Sequence, residues 1–244
     1  MTPRTTPANT PASDIARRHL NSGGNTTVQK IVKTTVPLLA SVATALALTA
    51  PADAASDPTV GRAKPIDTRV DLDGDHRPDK VVLEVVPDNP DEQQLVATVS
   101  GIRLTARIPL HSYPGIRPLR VVDIDADGRD EIIVTESVGA NTLGFTAWGL
   151  FGGLRPVTSP DGTPLPLWEG GGASAIARYG CEPADGGQRL VTVQAGVIDW
   201  ENFVYQGERV TYAVHDGVAV EATRTPAVGP RDAVPFLADP QTCA

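Results

Sequence analysis

Eight acidic residues in two short segments have the types and spacing to do chemistry. Asp71-Leu72-Asp73-Gly74-Asp75-His76-Arg77-Pro78-Asp79 sets carboxylates at positions one, three, five and nine. Asp123-Ile124-Asp125-Ala126-Asp127-Gly128-Arg129-Asp130-Glu131 repeats the pattern, with Glu131 at the ninth position. Carboxylates this close do not easily all stay ionised without a cation. Several charged oxygens in one small loop suit Ca²⁺, which takes roughly six to eight oxygen ligands. A backbone carbonyl near Arg77 or Arg129, with water, would complete each shell. Gly74 and Gly128 allow the tight turns that aim the side chains inward.

An EF-hand shares the opening Asp-x-Asp-x-Asp, but it needs a bidentate Glu at position twelve and flanking helices. Position twelve is Val82 in one segment and Val134 in the other, and apolar strands follow both. What remains resembles the FG-GAP/VCBS repeat, the calcium-loop repeat of integrin-alpha type, whose pattern runs D-x-[DN]-x-D-G-x-x-D into an apolar strand. That resemblance implies a calcium loop within a β-propeller-like blade of an extracellular or surface protein. Carried over by position, it makes Asp71, Asp73, Asp75 and Asp79 the ligands of the first loop. Asp123, Asp125, Asp127 and Glu131 are those of the second. The sequence departs from the pattern at His76 and at Ala126, where the family favours Gly, and the first loop is expected to be the more distorted. The copies lie 52 residues apart. A third, due near residue 175, keeps only a turn in Cys181–Gln188 and has lost the ligand set.

The elements that must hold these loops are strands. Short apolar runs between turn signals predict strands at 80–86, 94–99, 102–108, 119–122, 131–135, 145–151, 189–195, 204–205, 209–215 and 218–222. Asp216-Gly217 is a strong hairpin turn, and Ser100-Gly101 and Asp161-Gly162 are weaker ones. Gly170-Gly171-Gly172 reads as a flexible loop, and Trp200 reads as core. No stretch sustains a helical apolar period. The fold class is all-β: antiparallel strands in propeller-blade-like repeats. The length holds too few repeats for a full ring, so an incomplete or atypical propeller is expected.

Composition narrows the partners. The net charge is −8, and only two lysines follow Lys33. So acidic a chain offers no stripe of lysines to neutralise a run of phosphates, which argues against nucleic acid. Lys30 and Lys33, an apolar run over 36–50 and the small residues Ala52 and Ala54 make a secretory signal peptide with cleavage after Ala54. The run is too short for a spanning helix, so no stable membrane anchor is expected after cleavage. The long polar stretch before Val28 fits translation that begins near that residue. Residues 1–54 are thus the n-region and signal, 55–65 an exposed lead, and 66–244 a single all-β domain. Two cysteines in an exported chain, Cys181 and Cys243, are expected to pair.

Catalytic motifs are sparse. There is no nucleophile elbow, phosphate loop or dinucleotide fingerprint, and Asp199-Trp200-Glu201 is the best carboxylate pair. The sequence therefore points to a secreted, calcium-stabilised β recognition module, a monomer with an extracellular protein or a glycan as ligand. The alternative is a calcium-dependent extracellular polysaccharide hydrolase or lyase. N-terminal sequencing of exported protein should begin at Ala55; an intact membrane-bound form would overturn the export assignment.

Overall fold

The computed structural model describes residues 64–112 and 114–244. The export segment and most of the expected lead lie outside the described residues. Thirteen strands and two short 3₁₀ turns make up the rest. β1 (Ile66–Val70), β2 (Asp79–Val86), β3 (Asn89–Val99) and β4 (Ile102–Pro109) form one antiparallel meander. β5 (Arg120–Val122), β6 (Glu131–Val138), β7 (Thr142–Leu150) and β8 (Leu154–Pro156) form a second with the same order. Each acidic loop joins the first strand of its meander to the second.

The second meander does not stop at β8. β8 pairs with β7 only at Trp148–Leu150, which leaves the Thr142–Phe145 half of that edge for β9 (Leu167–Gly170). From β9 the sheet continues through β10 (Ala175–Ala184), β11 (Gly187–Asp199), β12 (Val204–His215) and β13 (Val218–Gly229). The fold is all-β and antiparallel, and neither sheet closes on itself.

Period-two alternation decides which side chains meet. On β6, Ile132 and Val134 face the first sheet and pack with Val81, Leu83, Leu95 and Trp148. Ile133 points the other way, into a cluster with Phe145, Leu167, Tyr179 and Leu190. A strand buried on both faces reads as a continuous apolar run, which is what EIIVT is. A third cluster gathers Ile176, Val191, Val193 and Tyr205 beneath Phe236 of the C-terminal 3₁₀ turn Val234–Phe236.

The predicted turns at Ser100-Gly101 and Asp216-Gly217 carry positive φ at both residues (48° and 80°; 46° and 75°), as two-residue hairpins require. Two expectations are corrected. Trp200 is 57% exposed, at the tip between β11 and β12. Its apolarity argued for core, but its place in the turn decides. Gly170–Gly172 is a tight crossing and not a flexible loop: a Cβ on Gly170 would lie 2.1 Å from the Asn141 carbonyl oxygen.

Cys181 of β10 and Cys243 form a disulfide. It anchors the 3₁₀ turn Pro240–Cys243, whose Thr242 hydroxyl accepts from the Cys181 N–H at 2.8 Å. Closing a 62-residue separation restricts the unfolded chain by about 4 kcal/mol in the loop-entropy account. The Cys181→Ser/Cys243→Ser variant should therefore lose about 4 kcal/mol in denaturant unfolding under non-reducing conditions. A loss below about 1 kcal/mol would show the tail to be held by its hydrogen bonds alone.

Candidate metal centre

The two acidic loops have one construction. At position two of each, a fully buried apolar side chain, Leu72 or Ile124, plugs the loop into the core. Its backbone N–H then needs a partner away from water. The position-nine carboxylate supplies it: Leu72 donates to Asp79 Oδ2 at 3.2 Å, and Ile124 to Glu131 Oε2 at 2.9 Å. Position one caps the turn. Asp71 accepts from Gly74 and His76 N–H, and Asp123 from Asp127 and Gly128 N–H, over 2.8–3.1 Å. Position five accepts from position seven in both, Asp75 from Arg77 and Asp127 from Arg129, each at 2.8 Å.

Backbone handedness matches as well. Position four is left-handed at Gly74 (φ 75°) and at Ala126 (φ 59°). Position six is left-handed at His76 (φ 63°) and at Gly128 (φ 84°). Each loop thus carries one non-glycine residue in a conformation that favours glycine. The first loop is no more distorted than the second, contrary to the expectation from His76. Its N–H bond to Asp71 holds the residue there.

Six of the eight predicted residues come together, in two triads. Asp71, Asp73 and Asp79 offer oxygens within 4.8 Å of one another, and so do Asp123, Asp125 and Asp127. Asp75 and Glu131 stand outside these triads, Asp75 capping Arg77 and Glu131 holding Ile124. The donor set is all carboxylate oxygen, which is the chemistry of a hard divalent cation. Asp125 Oδ1 is buried and has no hydrogen-bond partner among the described residues, an orphan that a cation would satisfy.

Electrostatics follow from burial and crowding. Burial, then the charges of Asp127 and Asp123, push Asp125 up to about 6. Burial pushes Glu131 up to about 8, against the Ile124 N–H and aided by Asp125, Asp123 and Asp127. Asp79 is raised by burial and by its three neighbouring aspartates, with the Leu72 N–H opposing. Asp127 goes the other way. Burial opposes ionisation there, but the Arg129 guanidinium and N–H outweigh it and hold the carboxyl low.

Three residues of this centre were not singled out as working parts. Arg129 pairs with the Asp127 side chain and makes the second loop partly self-neutralised. Asp130 fastens the loops together: its N–H donates to the Asp71 carbonyl at 2.8 Å, and its Oδ2 accepts from the Asp71 N–H at 2.9 Å. Gln188, after the turn between β10 and β11, donates its amide to the Asp123 carbonyl. Only Asp130 left a trace in the sequence, as a ninth acid where the first loop has Pro78. Asp199 and Glu201 form no comparable site. Asp199 accepts from the Glu201 and Asn202 N–H groups and from the Asn202 amide, capping the exposed hairpin tip.

Glu131 titrates from 4.5 in the unfolded chain to about 8 in the fold, so the folded state holds the proton between those values. Proton binding then favours folding, and stability is lost as pH rises through that window. In excess chelator, unfolding free energy should fall from about pH 4.5 to about 8, by at most ~1.4 kcal/mol per pH unit from this group. Glu131→Gln should flatten the slope, and an unchanged slope would assign it elsewhere. No family model, no curated protein and no solved structure matches this chain.

Proposed function

We propose that this chain is a secreted, calcium-stabilised β recognition module built on FG-GAP/VCBS-like repeats. The observation that carries this reading is the twin loop. Two segments of different sequence share the same bonds from position seven to five and from position two to nine, the same left-handed positions and the same buried plug, and each gathers three carboxylates. Their placement supports it further, since each loop joins the first two strands of a four-stranded meander. Asp71, Asp73 and Asp79 would hold one ion, and Asp123, Asp125 and Asp127 the other. Asp79 and Glu131 brace their loops from below.

Calcium in this reading supplies charge neutralisation and nothing more. The residues do the rest: they fix both loops against each other at the start of β6 and so tie the two sheets together. The disulfide suits the oxidising compartment to which the signal segment points, and no helix among the described residues is long and apolar enough to cross a membrane. The hydrolase or lyase alternative drew on Asp199 and Glu201. Asp199 is committed to capping a turn, so that pair gives it no support.

At calcium roughly ten times Kd, each site adds about 1.4 kcal/mol, hence about 3 kcal/mol for two. Extracellular modules bind near 10⁻⁴–10⁻³ M, so roughly millimolar calcium is the working range. Thermal unfolding in that calcium against excess chelator should show a drop of about 6–12 °C on chelation. Asp125→Asn and Asp73→Ala should each remove about half of that difference, because both loops are equally well formed. A melting point unmoved by chelator, with no calcium heat in calorimetry, would reduce both loops to acidic turns.

A further inference from the structure

Away from the acidic loops, β6 carries a bulge. Its pairing with β7 steps from Thr135–Phe145 to Ser137–Gly144, so Glu136 is the extra residue. Bulges re-aim side chains, and they gather beside functional sites. Here the re-aimed carboxylate is held on a rail: Trp148 Nε1–H donates to Thr146 Oγ1 at 2.8 Å, and Thr146 Oγ1–H donates to Glu136 Oε1 at 2.6 Å. The other oxygen, Oε2, has no donor among the described residues. Glu136 lines a hollow of about 290 Å³ with His111, Ser137, Thr146, Pro166 and Trp168.

The wall of this hollow depends on a missing side chain. A Cβ on Gly144 would lie 2.4 Å from Ser137 Oγ and 2.7 Å from Trp168 Cζ3. The indole therefore sits directly on bare backbone, between the hollow and a larger trough of about 770 Å³ that Trp168 also lines. The trough crosses β9 to β12, three strand spacings or roughly 14 Å. Registered pairs put Ala175 opposite Gly196, Ala177 opposite Gln194, Gln194 opposite Glu208 and Gly196 opposite Gln206. Directly opposed residues share a face. That face has a floor of alanine and glycine and a row of amide and carboxylate groups. The Gln194 and Gln206 amides have no protein partner among the described residues.

We propose that this hollow and trough bind a neutral oligosaccharide, with Trp168 as the stacking platform and Glu136, Gln194, Gln206 and Glu208 as the groups that read its hydroxyls. The proposal rests on the recognition-module reading and names its ligand class. No Lys or Arg lines either hollow among the described residues, and Arg224, which pairs with the lining Glu208, is already neutralised by Glu208 and Glu221, so no unpaired cation there would compensate an anionic polymer. A cation would use the carboxylates, the indole and the amide oxygens, but it would give the N–H groups of both amides no acceptor. Sugar hydroxyls both donate and accept, and a sugar ring offers an apolar face to an aromatic one. The mouth is open along its length, as a chain binding sideways needs.

Titration calorimetry with neutral hexasaccharides of glucose (both linkages), mannose and N-acetylglucosamine tests this on the intact chain in calcium. At least one should bind with a Kd below about 10 mM. Trp168→Ala should weaken it by about tenfold or more. Gln194→Ala/Gln206→Ala, at exposed positions where folding is not at stake, should do the same. Ile102→Ala, an exposed residue on β4 of the other sheet, should change nothing. Binding that Gln194→Ala/Gln206→Ala leaves intact would overturn the proposal, as would no binding of any hexasaccharide. So would competition by polygalacturonate or by tetramethylammonium in place of sugar. Chelator separates the two readings: a chelator-sensitive melting point without sugar binding sinks this proposal alone, and sugar binding without calcium sensitivity sinks only the metal.

Discussion

Both sheets are organised around β6, the strand buried on both faces. Ile132 and Val134 serve the first sheet and Ile133 serves the second. The first meander and the long sheet share no backbone ladder. Their junction is this apolar stripe with a polar clasp at either end. Before β6, the N–H and carboxylate of Asp130 close on the Asp71 backbone. Near its end, the buried Gln93 amide donates to the Thr135 carbonyl at 2.7 Å, and the His111 N–H to the Glu136 carbonyl at 2.6 Å. Apolar contact sets the strength of the junction, and the clasps set its register, because a slipped β6 would bury unpaired polar groups at both ends.

The acidic end of that junction stores repulsion. Two like charges 4 Å apart cost about 4 kcal/mol at an effective dielectric of 20, which is comparable with much of a domain's net stability. The molecule has internal answers to part of this. Arg129 covers Asp127, and its guanidinium also lies 3.8 Å from Asp216 at the β12–β13 hairpin. Protons cover another part, as the raised Glu131 and Asp125 show. In the first loop Asp79 is raised as well, and the exposed His76 lies 3.6 Å from Asp71. Arginine, proton and external cation are therefore three competing ways of neutralising one cluster, and their balance differs between the loops.

The parts of this architecture that were legible in the sequence are those set by local chemistry. Carboxylate spacing located both loops, short apolar runs between turn signals located most strands, and Asp216-Gly217 located its hairpin. What the sequence hid was decided by partners distant in the chain. β10 escaped because AIARYGCEPA mixes small, polar and proline residues; ten registered pairs with β11 make it a strand. Asp130 reads as one more surface acid until Asp71, 59 residues away, comes to meet it. Trp200 was misplaced because side-chain apolarity does not report whether a residue lies along a strand or at its tip. Glu136 has no local signature, since a bulge is a property of two strands and not of one.

The second meander continues into a longer sheet for a local reason. β8 is only three residues long, so it covers half of the β7 edge and leaves the rest open. An open edge beside a buried core is filled by the next available strand, and β9 takes it. Gly170 then lets the backbone cross Asn141 and enter β10. The strands from β9 onward are thereby added to the sheet of the second meander. The turn between β10 and β11 arrives beside the second acidic loop: a Cβ on Gly187 would lie 2.6 Å from the Asp125 carbonyl oxygen, and Gln188 bonds to Asp123. The Cys181–Cys243 bridge and the Asp123 N–H to Cys243 carbonyl bond of 2.9 Å fix the same corner covalently and through the backbone.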